Sequence, residues 1–322
     1  MRSVSEYTSL IEQAITDLGY GSVSPLNLYQ PIEYGLQKGG KRIRPVLTLM
    51  AAEAFGADPR DAIRAALGVE MFHNFTLLHD DVMDRSDMRR GRPTVHKKWN
   101  ENTAILSGDT MLTLATQLIS DVPDHVLRRV LDIFNRMAIE VYEGQCLDMD
   151  FEQADTVSPE SYIDMIGKKT GALLGAAAAI GATVAGAPEQ DCALMQQYGY
   201  MLGLAFQIQD DWLDMFGDPA TFGKPIGGDV LNRKKTFLTV SVMEKEGAEA
   251  NALRDAMNIA DGDLRIKTVR QIYERTGIPE LCRANIARYS HKALRSARES
   301  SVSEEGRKSL ERLVEKLIDR RK

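Results

Sequence analysis

The sequence predicts an all-α fold in a single domain covering residues 1–322, and three observations carry that expectation. Apolar residues recur at spacings of three and four in "YTSLIEQAI", "HVLRRVLDIFNRMAIEVYEGQ" and "SLERLVEKLI", the period of helices with one buried face. No stretch alternates apolar and polar β-branched residues as a half-buried strand does. Glycine and proline cluster at intervals suited to short turns between helices. At roughly 20 to 25 residues for each helix with its loop, the chain holds about ten or more helices.

In chain order, "YTSLIEQAI" forms the first helix and "GYGSVSP" ends it. "GADPRD" precedes "VEMFHNFTLLHDD", an apolar stretch that closes on acid. "GRPTV" and "SDVPD" bound the next segment, and "HVLRRVLDIFNRMAIEVYEGQ" follows it. "VSPE" starts another helix. Ser158 is its N-cap, with Pro159 and Glu160 in the first turn, where a missing N–H and a negative charge both suit the helix start. Gly171 to Ala187 is the longest apolar stretch, but its alanines and glycines are too small-sided for a membrane span. "GAPEQ", "FGDPATFGKPIGGD" and "GIPE" mark the remaining turns.

Composition excludes several classes. With 43% hydrophobic and 27% charged residues the chain reads as soluble and globular, with enough apolar side chains for a substantial core. A net charge of −6 gives no reason to expect nucleic acid as a partner. The opening "MRSVSEYTSLIEQAI" is acidic and lacks the apolar centre of a signal peptide, so a cytoplasmic location without stable membrane insertion is expected. Cys146, Cys192 and Cys282 show no CxxC spacing and read as reduced thiols.

The chemistry concentrates in charged clusters. "LLHDDVMDRSDMRRGRPTVH" holds Asp80, Asp81 and Asp84; "FQIQDDWLDMFGD" holds Asp210, Asp211 and Asp214. On a helix Asp80 and Asp84 share a face, while Asp81 is turned by about 100°. Like charges at this spacing destabilise a helix, so something must compensate. One such motif alone could be a solvated helix end. Two copies, each behind apolar residues, suit hard divalent cations at the mouth of an apolar groove if the two helices face each other. All-carboxylate ligands favour Mg²⁺ over zinc. Basic runs lie in "KGGKRIRP", at Arg89 and Arg90, in "GKKTG" with Lys168, Lys169 and Thr170, and in "GKPIGGDVLNRKKT" with Lys224, Lys234 and Lys235. Arginine and metal together suit phosphate groups, and the P-loop pattern is absent.

In order and spacing, "GGKRIRP", "LLHDDVMDRSDMRRGRPTVH", "KKTG", "FQIQDDWLD" and "FGKPIGGDVLNRKKT" resemble the motif set of the trans-isoprenyl diphosphate synthases, the polyprenyl synthetases. The resemblance implies a helical bundle around a deep central cavity, a homodimer, and a prenyltransferase that joins isopentenyl diphosphate to an allylic diphosphate. It implies Asp80, Asp84, Asp210, Asp211 and Asp214 as metal ligands, with Asp81 adjacent, for about three Mg²⁺ on the allylic diphosphate. Lys41, Arg44, His73 and Arg90 match the isopentenyl diphosphate site. Arg89, Lys169, Thr170, Gln207, Lys224 and Lys234 match allylic-substrate contacts. The catalytic set is then Asp80, Asp81, Asp84, Arg89, Lys169, Asp210 and Lys224. Charge neutralisation by metal, lysine and arginine would let diphosphate leave, and the apolar stretch would keep water from the carbocation. Thr170 and Gln207 would turn oxygen dipoles toward that cation.

Chain length reads from the helix before the first motif. Thr76, four residues before Asp80, is small; Phe75, five before, is bulky, and Phe72 lies a turn further. Within the resemblance, one aromatic at that place acts as a floor and implies geranylgeranyl diphosphate, with farnesyl diphosphate or longer products as alternatives. Simple core packing of both rings is the other reading. A class I terpene cyclase, or a non-catalytic subunit of a heteromeric synthase, would explain the basic motifs or the paired acidic motifs less well. The terminal "LIDRRK" is either a solvated tail or a cover for bound diphosphates.

Overall fold

Helices form where the apolar period is strongest, and their ends follow from local chemistry. The structure, a computed structural model, describes residues 1–37, 40–218 and 226–318. Two compact units divide the chain: Met1–Asn135 with Ala176–Gln196 and Ser300–Ser309, and Arg136–Gly175 with Gln197–Glu299 and Leu310–Lys322.

The first unit contains α1 (Val4–Asp17), α2 (Leu26–Leu36), α3 (Ile43–Ala54), α4 (Ile63–Met83), α5 (Val95–Lys98), α6 (Glu101–Ser120) and the beginning of α7 (Asp124–Gln153). Ser3 and Glu6 form a capping box that starts α1. α4 is buried nearly all round, from Ala65 through Phe72, as expected of a helix apolar on every side. It lies tightly on α6: a Cβ on Gly68 would stand 2.6 Å from Ile119 Cγ1. Tyr7, Ile32, Leu47, Met50, Phe72, Met111 and Phe134 are fully buried in this core.

The second unit contains the rest of α7, then α8 (Pro159–Ile166) with Ser158 as the expected N-cap, accepting the Ser161 amide. After α8 come a π-helical turn at Gly167–Gly171, α9 (Ala172–Val184) and α10 (Glu189–Phe216); α9 and α10 contribute residues to both units. α11 (Gly228–Leu231), α12 (Phe237–Met243), α13 (Gly247–Met257), α14 (Gly262–Arg275), α15 (Ile278–Glu299) and α16 (Glu304–Ile318) follow, α16 starting in the first unit. The core of the second unit gathers Tyr162, Ile208, Phe237, Val269, Tyr273, Cys282 and Ile286.

Glycines permit close helix approach within each unit. In the first, a Cβ on Gly181 would stand 2.1 Å from the Thr48 carbonyl oxygen; in the second, one on Gly199 would stand 2.2 Å from that of Leu174. No helix among the described residues is long and apolar enough to cross a membrane.

Candidate active site

α4 carries the first acidic motif at its C-terminal end, where unpaired carbonyls already make the field negative. Asp80 is half-buried, Asp84 is exposed at the C-cap, and Asp81 is only 4% exposed. The turn of about 100° between neighbours separates their partners. Asp81 Oδ1 accepts the Nε–H of Arg89 at 2.7 Å. Burial pushes the Asp81 carboxyl up and the Arg89 guanidinium draws it back. Bonding through Nε leaves both terminal nitrogens of Arg89 outside that bond.

Arg89 and Arg90 stand on a ribbon of two short antiparallel strands, β1 (Met88–Arg89) and β2 (Arg92–Pro93). Its two-residue turn has Arg90 at φ 53° and Gly91 at φ 74°, as a type I′ hairpin requires. Glycine adopts this freely, whereas a side chain in the left-handed region costs about 1–2 kcal/mol. The strained Arg90 places its guanidinium over Gly40, whose added Cβ would lie 3.2 Å from both terminal nitrogens. Thr94 fastens the ribbon, donating from its amide to Asp87 at 3.0 Å and from its hydroxyl to Ser86 at 2.7 Å.

Arg44, in the first turn of α3, donates from Nη1 to His73 Nε2 at 3.2 Å. A guanidinium cannot accept, so the neutral ring carries its proton on Nδ1. Burial, then the charges of Arg44, Arg90, Arg89 and Arg42, hold His73 well below the ordinary histidine value. Four arginines around a neutral imidazole make a field suited to an anion. The unfolded chain binds the histidine proton near pH 6.5 and the folded chain refuses it, so this contribution to stability is present above that pH and lost as pH falls below it. Comparing the parent with His73→Gln by urea unfolding removes other titrations from the result, including that of Asp211, whose sign is opposite. The stability advantage of the parent should shrink between pH 7.5 and pH 5.5; a constant advantage would contradict a neutral His73.

α3 starts at Ile43, so exposed Lys41 precedes the helix that carries Arg44. Arg42 between them is only 2% exposed. Its Nε donates to Glu12 at 2.7 Å, Nη1 to Glu70 at 2.6 Å and Nη2 to the Leu36 carbonyl at 2.5 Å. Asn74 supports Glu70 at 3.0 Å. Deeper on α4, Phe72 is fully buried and Phe75 is 6% exposed. The Thr76 hydroxyl turns back to the His73 carbonyl at 2.8 Å.

In the second unit, α10 carries Asp210 and Asp214, both half-buried, and Asp211, 5% exposed. Asp211 accepts the Tyr162 hydroxyl at 2.6 Å, the Phe237 amide at 3.0 Å and Gln207 Nε2 at 3.1 Å. Burial still pushes its carboxyl up to about 6. Gln207 Oε1 accepts the Thr170 hydroxyl at 3.1 Å, so these two polar groups face each other rather than jointly presenting free oxygens. Asp214 Oδ2 accepts the Asp229 amide at 3.0 Å, and its carbonyl accepts that of Gly227 at 2.7 Å, fastening the start of α11.

Lys169, in the π-helical turn, donates to Asp148 at 2.5 Å. Such a turn is frequent at functional sites, and here it passes close to α7: a Cβ on Gly144 would stand 2.3 Å from the Lys169 amide nitrogen. Lys234 is exposed, whereas Lys235 bonds the Phe151 and Ala154 carbonyls at the end of α7, where a cation meets the negative helix terminus. Lys224, Lys38 and Gly39, and Arg320 to Lys322 lie outside the described residues.

Among the described residues no three carboxylate, histidine or cysteine side chains stand close enough to hold a metal by themselves. An oxygen-only donor set of this kind fits an ion that completes its shell with water and phosphate oxygens, as Mg²⁺ does.

Comparison with known proteins shows what the chain as a whole is similar to. The family model described as polyprenyl synthetase matches residues 25–276. The geranylgeranyl diphosphate synthase of Sulfolobus acidocaldarius is 35% identical over 332 aligned positions covering 100% of both chains. A crystal structure of a geranylgeranyl pyrophosphate synthase superposes with a TM-score of 0.93 at 40% identity, covering 100% of both chains. The geranylgeranyl pyrophosphate synthase of Corynebacterium glutamicum, solved with isoprenyl diphosphate and magnesium, gives a TM-score of 0.84 at 27% identity over 99% of this chain and 96% of that one.

Proposed function

This chain belongs to the polyprenyl synthetase family, and we propose that it condenses isopentenyl diphosphate with an allylic diphosphate until it reaches the geranylgeranyl, twenty-carbon, product. The enzyme is a short-chain prenyltransferase of a magnesium-dependent family. The observation that supports the reading best is the anion field of the first unit, where Arg44 and neutral His73 lie within reach of the charges of Arg89 and Arg90.

In this reading Lys41, Arg44, His73 and Arg90 bind isopentenyl diphosphate. Arg89, Lys169, Lys224 and Lys234 neutralise the allylic diphosphate, Lys169 exchanging Asp148 for phosphate, while Thr170 and Gln207 contribute polar contacts. Asp80, Asp84 and Asp210 would hold the ions, about three Mg²⁺, with Asp211 and Asp214 as supporting carboxylates. Magnesium, when bound, would supply Lewis-acid neutralisation of the leaving diphosphate. As cations offset the developing charge, the allylic C–O bond breaks and leaves a carbocation. The isopentenyl double bond attacks it, a new C–C bond forms, and a proton passes to the released diphosphate. Leu77, Leu78 and the Phe75 region exclude water from the cation. We read both units as one catalytic domain, in a cytoplasmic homodimer. Ile105 and Leu106 of α6, 40% and 58% exposed, are apolar side chains that a second copy would cover.

Thr76, one turn below Asp80 on the same face, leaves room for the chain, and Phe75 with Phe72 would close it. Phe75→Ala should therefore carry a farnesyl diphosphate primer past twenty carbons, where the parent stops. Sizing the dephosphorylated products tests this; an unchanged distribution would remove Phe75 as the floor.

A further inference from the structure

We propose that His79 is a positioning residue for product length, bracing the Phe75 ring from the side opposite Phe72. The inference rests on the reading of Phe75 as the floor and extends it to the residue that holds that floor in place.

At about 100° per residue, Phe72, Phe75 and His79 fall within about 60° of one another around α4, turned by about 80° to 140° from Asp80. Their rings form a continuous row. His79 meets Phe75 edge-on with centroids 4.9 Å apart, Phe75 meets Phe72 at 5.5 Å, and Phe72 meets Phe134 of α7 at 5.4 Å. Edge-to-face pairs of this spacing have preferred orientations, so fixing one ring restrains the next.

His79 is itself fixed. Its Nε2 lies 3.1 Å from the Ile105 carbonyl oxygen on α6, and since that oxygen only accepts, Nε2 bears the proton. The ring lies where a side chain at residue 108 would be: a Cβ on Gly108 would stand 2.2 Å from Nε2 and 2.5 Å from Cδ2. α6 therefore leaves a socket for this imidazole. His79 precedes Asp80 directly, yet its ring points about 100° away from that carboxylate, so the anion-binding chemistry does not account for the socket. Phe75 sits between the braced imidazole and the buried Phe72–Phe134 pair and has little freedom to swing aside under a growing chain.

The test measures the ratio of product lengths, which partial loss of folded enzyme does not change. Parent, His79→Ala, His79→Asn, His79→Phe and Phe75→Ala are incubated with Mg²⁺, isopentenyl diphosphate and farnesyl diphosphate, and the dephosphorylated products are sized. His79→Ala and His79→Asn, the second of which keeps a donor for Ile105 but has no ring, should move the main product up by one isoprene unit. His79→Phe restores a ring edge and should return the parental length. If Phe75→Ala lengthens the product while His79→Ala and His79→Asn do not, the brace is refuted and the floor stands. If Phe75→Ala changes nothing, the floor reading fails and the brace falls with it. Should His79→Ala not fold, His79→Asn decides.

Discussion

Asp80→Asn is expected to lower kcat by about 10²–10³-fold, the cost of losing one group that stabilises developing charge, and to raise the magnesium concentration needed for half-maximal rate. Asp81→Asn should behave differently although it alters the neighbouring residue of the same motif. Asp81 is buried and committed to Arg89 at 2.7 Å, so its loss frees the guanidinium to wander. The rate should fall through weaker diphosphate contacts while the magnesium requirement stays where it was. A double-mutant cycle with Arg89→Lys separates the two roles, because residues acting as one unit are not additive. Additive losses at Asp81 and Arg89, or a magnesium requirement that moves with Asp81 as far as with Asp80, would contradict the division. The same contrast is expected in the second unit between Asp210 and the hydrogen-bonded Asp211.

The largest stability effect is expected at Arg42. Its guanidinium is buried between Glu12 and Glu70 and also donates to the Leu36 carbonyl. Arg42→Met would leave Glu70, itself 2% exposed, as a buried charge without its cation. Breaking a buried pair from one side costs about 3–5 kcal/mol, whereas replacing both partners by apolar groups is often neutral. Arg42→Met should therefore lower the urea midpoint sharply, and Arg42→Met with Glu70→Leu should recover most of the loss. If the double variant were as unstable as the sum of its singles, Arg42 would be acting through something other than this pair.

These two cases mark what the sequence makes legible. Period-3.6 geometry places Asp80 and Asp84 on one face and turns Asp81 away, and local capping rules place Ser158 at the start of α8. Both are properties of a few adjacent residues. The partners that give each charge its role are not local. Arg42 meets Glu12 and Glu70 at separations of 30 and 28 residues, and Asp211 meets Tyr162 at 49. No pattern in "KGGKRIRP" distinguishes Arg42, locked in the core, from Lys41 and Arg44 on either side. Motif resemblance singles out Thr170 and Gln207, yet their mutual hydrogen bond appears only once the π-helical turn and α10 are folded. Lys235 belongs to the same case, a cation that caps α7 inside a run that reads as substrate-binding. The left-handed conformations of Arg42, Arg85, Arg90 and Arg233 had no sequence signal, because arginine has no preference for them.

The most direct test of the account is a condensation assay on the unaltered chain. It is supplied with Mg²⁺, isopentenyl diphosphate and, in separate reactions, dimethylallyl, geranyl or farnesyl diphosphate, and the dephosphorylated alcohols are sized. Incorporation from these primers should converge on geranylgeraniol, with none in the absence of magnesium. Folded protein that incorporates no isopentenyl unit from any primer would contradict the proposed condensation, and products running well beyond twenty carbons would contradict the floor at Phe75.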